Sequence, residues 1–155
     1  MKKIVVIMIV GLYIGSIFLV NFFGLQYVTH ELNVYVTEIE CKTITKVSTN
    51  KDTPGKYNES KGCLAFTVFL DEPEKYTMDN LKDNPNTFRI NCTAYPENAA
   101  NRNVSLLFDG AGEGTEFHID NEEMTITFFE STGVTVTLKA ADGSNVKTKI
   151  YIAAI

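Results

Sequence analysis

The chain has 155 residues, 45% of them hydrophobic and 21% charged, with a formal net charge of −5 at neutral pH. These are globular values that exclude disorder along the whole chain, and the length allows one ordinary domain plus a short attachment but not two packed domains. Beyond two N-terminal lysines, 12 basic residues stand against 19 acidic ones, a net of −7 that suits neither phosphate backbones nor anionic lipid, so no nucleic-acid partner is expected.

Lys2 and Lys3 precede an apolar run at residues 4–25 in which Ser16 and Asn21 are the clearly polar positions. A helix of that length extends about 33 Å, enough for a hydrocarbon layer of ~30 Å. The run lacks the shorter apolar region and small-x-small site of a cleaved signal peptide. It predicts a transmembrane signal anchor at 4–25 in contact with membrane lipid, after a cytoplasmic tip at 1–3. Both lysines favour an internal amino terminus, so the protein is expected to be single-pass, with a linker at 26–32 and an extracytoplasmic C-terminal domain. Gly11 and Gly15 have the small-xxx-small spacing that permits close helix contact.

After residue 30, branched and aromatic side chains recur, a bias towards strands. NVYVTEIECKTITKV, residues 33–47, reads as a strand with a bulge where the alternation slips near Glu38. Residues 48–62 read as a polar loop marked by Pro54-Gly55. GCLAFTVFL opens a second strand near Cys63, and in the connection that follows Thr77 can cap a short helical turn with Met78 and Leu81 on one side. From residue 87, TFRINCTAY, NVSLLF, TEFHID, MTITFFE, GVTVTLKAA and VKTKIYIAA alternate between DGAGEG, residues 121–123, residues 131–133 and ADGSN. Short strands at such spacing predict an all-β antiparallel sandwich over 33–155, with an extra strand and loops at 48–86. Pro96 cannot donate a ladder bond, so a strand should end at Tyr95 and residues 97–103 should cross to the other sheet before Val104.

The passage YPENAANRNV, together with FHID and the closing GVTVTLKAADGSNVKTKIYI, resembles bacterial immunoglobulin-like domains of group 2 over about residues 87–153. The family's usual tryptophan falls at Leu106, and residues 109–115 replace its SSNPS passage. Residues 33–47 would supply the first strand, and the strand at 63–70 is additional to the family pattern. The resemblance implies an Ig-like sandwich that serves adhesion or cell-surface interaction, or acts as a spacer, in bacterial and phage surface proteins.

Candidate sites are few. Cys41 and Cys92 alternate in phase with inward apolar residues, and Cys63 out of phase; if one disulfide forms, the expected pair is Cys41 and Cys92, the alternative being buried thiols. Cysteine spacings with His30 and His118 do not make a zinc site, and no metal or cofactor is expected. DGAGEG precedes a strand rather than a helix, which excludes a phosphate loop, and two acids fall short of a calcium loop; it reads as a hairpin connection. The acids at 71–74 and 120–123 sit in turns, where water solvates them, and His118 shares a strand face with Asp120 without a nucleophile beside it. No enzyme is expected. Tyr57, Tyr76 and Tyr95, in or next to loops, are the candidate contact aromatics. The expected function is a membrane-anchored binding or display module for a surface protein or glycan, the alternative being a structural or assembly subunit or spacer of a membrane-associated complex.

Overall fold

The structure, a computed structural model, describes residues 2–28 and 33–155, with side chains throughout except at residues 2, 20–28 and 74. The chain divides into two compact units, residues 1–33 and 34–155. The first contains helix α1, Lys2–Val28. The expected membrane-spanning helix at 4–25 is overturned: among the described residues no helix is long and apolar enough to cross a membrane. Of the linker expected at 26–32, positions 29–32 lie outside the described residues.

The second unit is a two-sheet β-sandwich. Its strands are β1 Glu38–Lys46, β2 Lys51–Pro54, β3 Lys56–Asn58, β4 Cys63–Val68, β5 Thr87–Tyr95, β6 Val104–Phe108, β7 Phe117–Asp120, β8 Thr125–Phe128, β9 Thr132–Ala140 and β10 Lys147–Ala154. The first sheet has the order β2-β1-β5-β8-β7 and the second β3-β4-β10-β9-β6. Alternation decides which side chains meet between them. In β9, Val134, Val136, Leu138 and Ala140 are buried while Gly133 and Thr135 face water. Phe88, Phe117 and Phe128 fill the middle with Phe66, Ile126 and Ile150, all at most 2% exposed. Their rings meet edge-on or tilted, at 6.0 Å for Phe88 and Phe128 and 6.3 Å for Phe117 and Phe128. Leu106 belongs to the same core.

The crossing expected around Pro96 is present: β5 ends at Tyr95 in the first sheet and β6 begins at Val104 in the second. Three expectations need correction. DGAGEG is not a hairpin connection, since β6 and β7 lie in different sheets. The sandwich is not wholly antiparallel, because β4 runs parallel to β10. Residues 48–62 are not simply a loop: β2 pairs with β1 and β3 with β4, so one nearly continuous strand leaves the edge of the first sheet and joins that of the second. The expected bulge lies at Lys42 rather than near Glu38, and it has a use here. The Lys42 carbonyl accepts the Gly55 N–H at 3.1 Å where β2 gives way to β3.

On the opposite flank a side chain does the joining. Asn121, in the turn between β7 and β8, accepts the Leu106 N–H at 2.6 Å and donates to the Leu106 carbonyl at 3.2 Å. Edge strand β6 is thus bound by an amide in place of a neighbouring backbone.

Candidate functional site

Three connections meet at the end of the sandwich that carries the C-terminus of β4: residues 69–86, 109–116 and 129–131. The first contains 3-10 turns at Pro73–Lys75 and Met78–Asp83. Thr77 starts the second turn as expected, with its backbone N–H held by the Asn80 side-chain oxygen at 2.6 Å. Buried asparagines bind this connection to the sheet. Asn86, wholly buried, accepts the Asp71 N–H at 2.7 Å and donates to the Asp71 carbonyl at 2.9 Å. Asn84 donates to the Phe128 carbonyl at 3.0 Å and accepts the Asn86 N–H at 2.9 Å. These amides give an irregular segment the backbone partners that a strand would otherwise supply.

The second connection folds on itself. The Gly112 carbonyl accepts the N–H groups of Thr115, Glu116 and Phe117, at 3.1, 2.7 and 3.2 Å, while the Gly114 N–H donates to the Phe117 carbonyl. Those bonds fold the end of the glycine-rich stretch back on itself ahead of β7. Glu116 fastens it to the third connection: its carboxylate accepts the Thr132 hydroxyl at 2.7 Å and its carbonyl the Phe129 N–H at 2.8 Å. Between the three lies a hollow of about 670 Å³, walled by Tyr76, Met78, Thr115, Phe129 and Ser131 among others. Met78 is exposed, as is Phe69 at the start of the first connection. Such an arrangement offers an aromatic ring, a flexible thioether, hydroxyls and the Glu130 carboxylate to a partner.

The three expected contact tyrosines are not brought together. Tyr76 lines this hollow, Tyr57 lines a separate one of about 410 Å³ beside β3, and Tyr95 ends β5 in the first sheet. Phe69 and the asparagine pair were not singled out from sequence, and Met78 was read only as an apolar residue of the short helical turn. The two asparagines flank Pro85 and read as ordinary turn residues; the signal was two amides in a segment that must still satisfy its backbone between strands.

A groove of about 420 Å³ on the outer face of the first sheet gathers His118, Asp120 and Asp83 with Thr125 and Thr127. The turn Met78–Asp83 and residues 84–85 wall it, which is why both threonines are buried although they point away from the core. Asp120 is occupied as an acceptor for the N–H groups of Glu122 and Glu123, at 2.8 and 3.2 Å. Among the described residues no hydrogen bond orients His118 against a carboxylate, and no group of His, Cys, Asp and Glu could hold a metal ion.

Cys41 and Cys92 stand directly opposite each other across β1 and β5, as free thiols, and Cys63 is a third. Burial pushes the Cys41 thiol up to about 12, with the neighbouring Cys92 adding to the rise, and burial raises Cys92 as well. Neither has the lowered pKa of a reactive cysteine. Cys63 is out of phase with its apolar neighbours, as expected, yet it is buried at 7% exposure under the edge of the second sheet. No protein-family model matches the chain, and no curated protein does.

Proposed function

We propose that the chain is a non-catalytic binding or display module of the bacterial group 2 immunoglobulin-like type, whose loop end engages a protein or glycan in an adhesion-type contact. One observation carries this reading: three connections, the first closed across its own ends by Asn86 and the second fastened to the third by Glu116, place Tyr76 and Met78 in the wall of one hollow. Loops placed by a rigid sandwich are where recognition concentrates. The resemblance at Tyr95-Pro96 and in the closing β9–β10 hairpin supports the family type.

Binding of the labelled full chain to intact cells tests the reading. Tyr76→Ala with Met78→Ala is expected to lower binding at least tenfold, while Tyr57→Ala with Tyr95→Ala leaves it within twofold. Equal effects from the two pairs would remove the loop end from the account.

A further inference from the structure

The strands of the second sheet contain no Asp or Glu, yet they hold Lys56, Lys139, Lys147 and Lys149. Lys139 and Lys147 are direct partners across β9 and β10, so two like charges share one face with their β-carbons about 5 Å apart. Lys149 follows on that face, and Lys61, from the turn before β4, lies with its ammonium 4.7 Å from the centre of the Tyr151 ring. None of these five lysines takes part in an ion pair among the described residues. The first sheet differs, because its strands also carry acids, and there Lys42, Lys46 and Arg89 each have a carboxylate partner, Lys51 at the edge being the exception. Acids near the strip are confined to turns: Glu59 beside Lys61, and Asp142, which is engaged by the N–H groups of Val36 and Ser144.

We infer that this strip is a binding site for a linear acidic polysaccharide. The lysines run across the strands from β9 through β10 towards β3, three strand spacings or roughly 14 Å, while the other half of the face, at Gly133, Thr135 and Thr67, is uncharged. A strip suits an extended chain of carboxylates or sulfates better than a planar array of lipid headgroups. Single-stranded nucleic acid needs open aromatic platforms, and Tyr151 is covered by Lys61 on one side and lies against Gly133. A flat sheet offers a duplex groove nothing to insert. The overall negative charge sets a second condition: attraction is local to this face, and it is lost in salt once the screening length falls below the spacing of the strip.

The test measures affinity of the full chain for dextran sulfate, polygalacturonate and uncharged dextran at low and physiological salt, with duplex DNA and phosphatidylserine vesicles as rivals. Binding to the two acidic polysaccharides and not to dextran is expected. Changing Lys139, Lys147 and Lys149 together to Gln should weaken it at least tenfold. A control triple of Lys42→Gln, Lys51→Gln and Lys82→Gln, with the same change in net charge, should cost less than twofold. The loop-end pair Tyr76→Ala and Met78→Ala should leave it unchanged, which separates this site from the proposed loop-end contact. Indistinguishable triples, no binding at low salt, or tighter binding to DNA or vesicles would each overturn the assignment.

Discussion

Asn86 occupies a place where a strand could have been, and its amide takes both backbone groups of Asp71. Replacing it with alanine removes two part-buried hydrogen bonds, a loss of about 1–3 kcal/mol at roughly 0.5–1.5 kcal/mol per bond. Urea denaturation of Asn86→Ala is expected to show that drop, and binding at the loop end should weaken with it because Tyr76 loses its footing. Cys41 gives a pH signature. Its ordinary value is near 9 and its folded value about 12, so its contribution to stability is intact below pH 9 and fades as pH climbs towards 12, where the unfolded thiol ionises first. Denaturation midpoints followed over that window should fall less steeply in Cys41→Ala than in the parent chain. At this scale the sequence was partly readable. In-phase alternation put Cys41 and Cys92 on the core side, and the register set them opposite each other. Asn86 could not be recognised, because an asparagine beside proline has the same local signature whether it is solvated in a turn or buried as a surrogate strand.

Among the elements, β9 and β10 were legible from their alternation, since each has one face in oil and one in water. The short β2 and β3 were not. KDTP and KYN have exposed or half-exposed side chains throughout, so no hydrophobic period marks them, and their positions come from their partners β1 and β4. Nor does periodicity encode strand direction, which is why the parallel pairing of β4 with β10 was missed. The β2–β3 crossing depends on Gly55, where an added β-carbon would come within 2.8 Å of the Phe66 ring. Phe66 is wholly buried and has little room to move, so Gly55→Val should cost roughly 1–3 kcal/mol by overpacking, read as a lower denaturation midpoint. The lysine strip makes the opposite prediction. Lys147→Glu exchanges a like-charge pair with Lys139 for an attractive one, and should raise stability by about 0.2–1 kcal/mol while abolishing polysaccharide binding. A merely structural lysine would not show that divergence.

For the whole molecule, net charge was the least informative quantity. A sum of −7 beyond the N-terminal lysines argued against anionic partners, yet a sum has no direction. Folding places the acids in connections, turns and the strands of the first sheet, and leaves the strands of the second sheet with lysines as their charged residues. The fold class followed from strand spacing because burial on one face imposes it, whereas the candidate site depended on which connections share an end, a property of topology. The parallel ladder of β4 and β10 has a mechanical consequence. Tension drawn between residue 34 and the C-terminus, once β1 to β3 have yielded, pulls these two neighbours lengthwise in opposing directions. Their bonds then share the load in shear and break together instead of peeling open one rung at a time.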